Sequence, residues 1–524
     1  MMGHQLFSEC FFKTATNPVY ADRIALSAAG QSLSYDALLS HVVARCNEFQ
    51  AHGIGDHDPE DPLDRVARVA RVALLQTRSL SLCVDIVSCI CVGVSVTILS
   101  RGDATQQSIE KLTAINATRL IADEDHRQTA EEISKALSIP LEIRPSQLPV
   151  LEKFSLSIEE RLPKAPSPER EALVIFTSGS TGMPKGVAIS QANIASNIYG
   201  VSSETGISCE DHFLQVMPLS HTNGLQNQLI MPLALGARIT LCSHFDARKF
   251  IDQMAHYQPT IFTAVPTMLQ RMLPLEIPPR ALAKLRMIRS GAAQLAPELQ
   301  IQIEKHFDTK VVVSYGQTEA TCTNTANSLS GRKIGSVGRA LASQEVAIIG
   351  LDDATLLKAG EIGEVCIRGA NIAMGFIGEP AFDHREWYHT GDCGYLDDEG
   401  YLFLTGRLKD IIIRGGANLS PRQIEDVLLK HKTINAAYVC GIPDSDLGEV
   451  PVGFVETSGD EIINLEEINQ HIVECLGRSH QLRNIFKLEQ LPTNEVGKID
   501  SKALRRFTEK TEGSGVKIVE RTKP

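Results

Sequence analysis

Short apolar runs of strand length alternate with helical stretches through most of the first three hundred residues. Glu171–Thr177 (EALVIFT) reads as a strand, followed by a glycine-rich loop and a second strand at Gly186–Ile189. Ser190 is placed to cap a helix starting near Gln191. Arg238–Cys242, Thr260–Ala264, Met287–Arg289 and Val311–Ser314 are further apolar runs of buried-strand type. This alternation predicts an α/β architecture with largely parallel sheets. Leu80–Leu99 is apolar for nearly a membrane-spanning length, but it carries Asp85, several serines and a β-branched second half. A buried helix running into a buried strand is the reading taken, with a membrane span as the alternative. A proline- and aspartate-rich piece over Gly53–Asp64 precedes RVARVARVA (Arg65–Ala73), whose three-residue arginine spacing predicts a helix with a solvated face.

From about Gly335 the texture becomes β-rich. Val346–Ile349 and Gly363–Arg368 read as strands, and Gly394–Leu404 as a hairpin turning at Asp397–Gly400. Beyond Arg407 a compact α+β pattern follows: strand Asp410–Arg414, helix Ser420–His431, strands Ala436–Gly441 and Val452–Glu456, helix Leu465–Leu476. Glu512–Pro524 is expected to be a loose tail. The boundary is set at Leu408–Lys409, giving a large domain over 1–408 and a small one over 409–524.

The chain has 524 residues, which at ordinary domain sizes implies at least two cores. Its formal charge of −12 argues against a protein that works by neutralising nucleic-acid phosphates. The 12 cysteines are scattered without zinc spacing, which suits a reduced, cytoplasmic compartment. No basic-then-apolar leader opens the chain, and its last residues, RTKP, match no peroxisomal or lipidation signal. Neither nucleic acid nor membrane insertion is expected, and oligomeric state is left open.

The loop Thr177-Ser178-Gly179-Ser180-Thr181-Gly182-Met-Pro-Lys185-Gly-Val187 combines three glycines, four hydroxyls and a lysine. Glycines let the backbone fold around an anion with its N–H groups inward, as a triphosphate or pyrophosphate requires. The loop is not a Walker A motif, because Pro184 precedes the lysine and Gly186 follows it. Downstream, Ser314-Tyr315-Gly316-Gln-Thr318-Glu319-Ala320 follows a strand. Tyr315 offers a flat face for a purine, Thr318 a hydroxyl for phosphate and Glu319 a hard oxygen ligand for Mg²⁺. Core packing is the bland alternative for Tyr315, and a surface carboxylate for Glu319. In Tyr388-His-Thr-Gly-Asp392 the carboxylate could accept from both hydroxyls of a ribose. By itself Lys498, in Leu491-Pro-Thr-Asn-Glu-Val-Gly-Lys498, reads as an exposed loop lysine.

Taken in order, these segments resemble the adenylate-forming superfamily of acyl-CoA synthetases, peptide-synthetase adenylation domains and firefly-type luciferases. The resemblance runs from Glu171 to Leu504; before that it is loose, carried by Leu33–Leu38 and Leu80–Leu99. It implies a large multi-subdomain N-terminal domain, with parallel sheets, helices and a β-rich subdomain, and a small mobile α+β C-terminal domain. It gives Asp392 the ribose role, places Arg407 near ribose and phosphate, and brings Lys498 to the active site to stabilise charge as a carboxylate attacks the α-phosphate of ATP. Lys409 takes the hinge position, and Arg414, Gly415 and Gly416 face the thiol arm in a second state. Ser290, Gly291, Ala292 and Ala293 fit the segment along the adenine and the acid. His221, Asn223, Gly224 and Val265 border the acid, with Gly316.

The resemblance thus implies a two-step ligase: ATP and Mg²⁺ activate a small-molecule carboxylic acid as an acyl-adenylate, and a thiol then displaces AMP. Coenzyme A is the first acceptor considered; the phosphopantetheine of an acyl carrier protein is the second. A nucleotide-binding scaffold that has lost catalysis is the third reading, opposed by intact Lys185, Glu319, Asp392 and Lys498. No aspartate lies between Met217 and Leu233, so an ordinary acid is expected rather than an α-amino acid.

Overall fold

A computed structural model describes residues 5–54, 69–149, 162–178, 184–351, 354–457, 463–494 and 497–512. Among them the chain forms four sheets. The largest, nine-stranded, has a parallel centre in the order Val311–Tyr315, Met287–Ser290, Ile261–Ala264, His212–Gln215, Arg238–Leu241, Ile24–Ala28. Each of the four strands from 212 to 290 is four residues long and buried except at Arg238, as short apolar runs covered on both faces should be. A seven-stranded sheet contains Arg71–Leu75, Ser95–Ile98 and Glu171–Ser178, the last paired antiparallel with Pro184–Ser190. Ser190 does cap the next helix, Gln191–Thr205, by accepting from the Asn193 N–H.

The helix Leu80–Cys91 is buried at all twelve positions because it packs between the two large sheets. Its one charge, Asp85, is met by Arg144 Nη1 at 2.5 Å, Arg45 Nε at 3.2 Å and the Gln76 amide at 3.0 Å. No helix among the described residues is long and apolar enough to cross a membrane, so the membrane alternative for Leu80–Leu99 is replaced by the sandwiched helix and the strand Ser95–Ile98.

One expectation is overturned. Residues 71–73, read as the end of an arginine-dotted helix, form the strand Arg71–Leu75, flanked by parallel neighbours on both sides. Arg71 is not a solvated side chain. It forms a two-pronged pair with Glu171 at 2.7 and 2.8 Å and donates to the Ile115 carbonyl at 2.7 Å. Sheet pairing and this ion pair outweigh a local helical period. Residues 55–68 and 513–524, with the rest of that expectation and most of the expected tail, lie outside the described residues; Glu512 itself ends the helix Ser501–Glu512.

A four-stranded antiparallel sheet (Gln344–Ile349, Gly363–Gly369, Tyr388–Leu396, Leu402–Arg407) matches the β-rich expectation, with the Gly400 N–H closing its turn on the Asp397 carbonyl at 2.9 Å. The C-terminal unit has its own five-stranded sheet, centred on Ile434–Asp444 and Gly448–Thr457, and its own apolar clusters. The architecture is therefore a mixed α/β large N-terminal part with several sheets and a small C-terminal part.

Candidate active site

The ends of the parallel strands supply the floor of a cleft of about 390 Å³ between the large part and the C-terminal unit. Ala292, Ala293, Ser314, Tyr315 and Gly316 line it from below; Asp392 and Arg407 come from the antiparallel sheet, and Gly497 and Lys498 from the C-terminal unit. The floor is tight by construction. A Cβ on Gly316 would stand 1.9 Å from the Cys322 carbonyl oxygen, and one on Gly291 3.1 Å from the Ser314 carbonyl and hydroxyl oxygens. Ala292 holds a left-handed φ of +67°, turning the chain at the strand end.

Asp392 is buried and occupied on both oxygens. Oδ1 meets Arg407 Nε at 2.8 Å, and Oδ2 accepts from the Tyr315 hydroxyl at 2.8 Å. Tyr315 is thus neither a free stacking face nor plain core: its hydroxyl orients the carboxylate, and burial, then Asp392, pushes its pKa well above the ordinary phenol value. Thr318 and Glu319 sit on the single turn Thr318–Ala320 directly after the strand. Burial raises the Glu319 carboxyl; Arg407 and the Thr177 hydroxyl act against that rise and Asp392 adds to it. Glu319 is therefore not the surface carboxylate of the bland reading.

Lys498 joins this group from almost 180 residues further along the chain. Burial pushes its ammonium down, with Arg407 adding, while Asp392 and Glu319 hold it up. The lysine loop is bound to the large part by the Thr267 hydroxyl, which donates to the Gly497 carbonyl at 2.6 Å. His221 lies close enough that Lys498 helps lower its imidazole, which burial brings down to about 4. The residues singled out as Thr177, Glu319, Asp392, Arg407, Lys498 and His221 are thus brought together electrostatically.

Other expected site residues stand differently. Lys185 is paired with Glu379 at 2.7 Å and lies over the Phe376 ring at 5.0 Å. The Ser178 side chain and Gly179, Ser180, Thr181 and Gly182 lie outside the described residues. Gly224 packs so closely on Pro218 that a Cβ would meet its carbonyl oxygen at 2.1 Å, while the Asn223 carbonyl accepts from Gln228 at 3.4 Å. Val265 and Ser290 are fully buried. Gly415 and Gly416, with φ of +56° and +83°, form the two-residue turn of the hairpin Arg414–Ala417, which is a sufficient reason for both glycines. Arg414 donates to the Ser479 and Gln481 carbonyls, and this hairpin does not line the cleft. Lys409 is exposed on the turn Leu408–Asp410.

Sequence reasoning missed two features. One is the Thr267–Gly497 link, hidden because an unremarkable threonine meets a backbone carbonyl. The other is a second cavity of about 510 Å³ bordered by Arg78, Arg101, His126, Ser220 and His244. Its basic residues come from separate loops, so no local run betrays them. For cations, Glu319 with the Thr177 hydroxyl is a hard-oxygen pair, and Glu364, Cys366 and His389 place ligand atoms within 4.8 Å of one another outside the cleft lining.

Comparison with known proteins places the chain in a family. The AMP-binding enzyme family matches residues 12–377, and the AMP-binding enzyme C-terminal domain matches 423–498. A probable CoA ligase from Humulus lupulus is 36% identical over 63% of this chain and 65% of its own length. An oxalate–CoA ligase from Arabidopsis thaliana is 35% identical over 66% and 69%. A 4-coumarate–CoA ligase from Narcissus pseudonarcissus is 30% identical over 76% and 77%. The match thus spans about two thirds of the length of the first two of these relatives. The fold superposes on ATP-bound MatB from Rhodopseudomonas palustris with a TM-score of 0.85 at 22% identity, covering 97% of this chain and 99% of that one. This chain belongs to the AMP-binding enzyme family.

Proposed function

We propose that this protein activates a carboxylic acid with ATP, releasing pyrophosphate, and passes the acyl group from the adenylate to a thiol, with coenzyme A as the acceptor. The observation that carries this reading is that Lys498, Asp392 and Arg407 line one cleft, with Glu319 and His221 near enough to act on Lys498 electrostatically. A carboxylate is a poor electrophile because its leaving group would be oxide; the mixed anhydride with AMP replaces that with a good one. Charge then develops on the α-phosphorus and on departing pyrophosphate, and a buried ammonium beside an arginine is suited to meet it. Asp392, oriented by Tyr315 and Arg407, serves the ribose hydroxyls. The glycine-rich loop, through Thr177, Ser178, Gly179, Ser180, Thr181, Gly182 and Lys185, serves the phosphates, with Thr318.

A Mg²⁺ ion fits the donors present: the half-buried carboxylate of Glu319 and the Thr177 hydroxyl beside it, the sparse oxygen set that this ion uses when phosphates complete its shell. Bound there, it would neutralise phosphate charge. His221, Asn223, Gly224, Val265, Ser290, Gly291 and Gly316 border the acid. The division at residues 408 and 409, with Lys409 as hinge and Arg414, Gly415 and Gly416 reaching the thiol after rotation, completes the reading. Coenzyme A is preferred over a carrier protein because the relatives named above are CoA ligases and Arg101 and His244 border the second cavity. Twelve free cysteines, ten of them buried, suit a reduced cytoplasmic setting.

ATP–pyrophosphate exchange over a carboxylic-acid panel tests the first step. Lys498→Ala should reduce exchange by about 10²–10³-fold, the usual loss on removing one transition-state donor. Undiminished exchange in that variant would refute the assignment. Mass spectrometry of the product with free coenzyme A, against a phosphopantetheinylated carrier protein, decides the acceptor.

A further inference from the structure

Arg289 is a fully buried charge with no carboxylate partner among the described residues. It sits on the buried strand Met287–Ser290, in register with Thr263 and Val312, and is 1% exposed. Its Nε and Nη1 have no hydrogen-bond partner among the described residues. Burial lowers the guanidinium to about 10, and the one ionisable group that opposes this is the Cys322 thiol, not a carboxylate. Other buried arginines are matched: Arg71 by Glu171, Arg144 by Asp85 and Glu142, and Arg78 by the Val216, Met217 and Cys242 carbonyls. A buried cation without a counter-charge is strongly unfavourable, so its retention calls for an anion.

Arg289 does not itself line the cleft; its neighbour Cys322 lies directly behind the floor, where the Cys322 carbonyl packs against Gly316. Ser290, the next residue, has a buried hydroxyl with no partner, as does Thr263 in the neighbouring strand. The Cys322 thiol beside Arg289 is flanked by Thr222 and Asn227, from the segment that begins at His221. On that segment the side-chain oxygens of Gln226 and Gln228 are also buried and unpartnered. Arg289 therefore shares its side of the strand with Thr263 and neighbours Cys322, whose thiol is met by Thr222 and Asn227, while Ser290 points to the other face and His221 and Lys498 mark the end where a carboxylate would react.

We infer that the acid activated here carries a second anionic group, a carboxylate or a sulfonate, and that Arg289 receives it. This rests on the proposed acid activation and names its substrate class. Arg289 is then a specificity-determining residue: the reacting carboxylate goes to the Lys498 end and the second anion to the guanidinium. Acids with a neutral tail leave the cation unmatched and are rejected, as a site built for a polar group rejects the analogue lacking it.

The experiment is ATP–pyrophosphate exchange with short dicarboxylic and sulfonated carboxylic acids, each paired with the monocarboxylic acid or monoamide of equal length. The wild-type protein should favour the dianionic member by about 100-fold or more in kcat/KM, a charge-assisted bond in a buried site. Arg289→Gln should erase that preference, raising the monoamide relative to the diacid, and Arg289→Lys should retain part of it. The melting temperature of each variant, with and without the preferred acid, gives a second readout: the acid stabilises the wild type and not Arg289→Gln. Better exchange with neutral-tailed acids in the wild type overturns the inference while leaving acid activation standing. An equal loss for all acids in a folded Arg289→Gln overturns it too. Exchange with no acid at all refutes acid activation, and the inference falls with it. Should Arg289→Gln not fold, the wild-type pairs and Arg289→Lys decide alone.

Discussion

Gly497→Ala separates the two half-reactions without removing any side chain from the cleft. Gly497 has φ of +75°, and a Cβ there would stand 2.7 Å from Val265 Cγ2 and 3.2 Å from Thr267 Oγ1. Alanine in the left-handed region costs about 1–2 kcal/mol, wherever the loop sits. The overlap is different, because it exists only while the lysine loop is docked against residues 265–267. Forcing an extra methyl into such a contact costs roughly 1–3 kcal/mol. Only that second part biases the docked arrangement, and it corresponds to roughly 5–150-fold. ATP–pyrophosphate exchange should therefore fall by that factor. Thioester formation from a supplied acyl-adenylate, which does not need Lys498 in the cleft, should keep its wild-type rate. Thr267→Val, which removes the 2.6 Å bond to the Gly497 carbonyl, should act in the same direction with about 1 kcal/mol. Equal losses in both half-reactions, or no loss in exchange, would refute the reasoning.

Two further outcomes follow from buried charge. Arg71→Met leaves the Glu171 carboxylate, 4% exposed, without its cation, and should destabilise the large part by about 3–5 kcal/mol, read as a shift in its chemical-denaturation midpoint. His221 has a pKa near 4 instead of the ordinary 6.5. Between those values the folded protein binds fewer protons than the unfolded chain, so the stabilising contribution is complete above 6.5 and is lost as pH falls toward 4. His221→Phe should flatten the pH dependence of the denaturation midpoint within that window; an unchanged slope would show that the imidazole is not held neutral by burial.

The local elements were legible wherever a single period ruled. The runs Thr260–Ala264 and Met287–Arg289 read as buried strands and are found as Ile261–Ala264 and Met287–Ser290, and Ser190 announced its helix through the hydroxyl that accepts from Asn193. Residues 71–73 were misread for the opposite reason. Arginines three apart mimic a helical face, and only the partner Glu171, 100 residues away, makes the strand the better solution. Glu319 and Asp392 were identified from their motifs, but their states were not: burial beside Thr177, and occupation by Tyr315 and Arg407, arise from chains that meet only after folding. Lys498 is the sharpest case, since its own segment looks like an exposed loop.

By itself, the sequence determined the alternation of strand and helix, the two-part organisation, and the ordered motifs that carry the family resemblance. These depend on spacing and residue type within a few tens of residues, where the chain's own geometry sets the outcome. Tertiary structure alone decided which charges share one low-dielectric space. It seated Lys498 by the Thr267–Gly497 bond, filled both oxygens of Asp392, and buried Arg289 without a counter-charge. Electrostatic coupling depends on distance and burial, and neither is written in the order of residues along the chain.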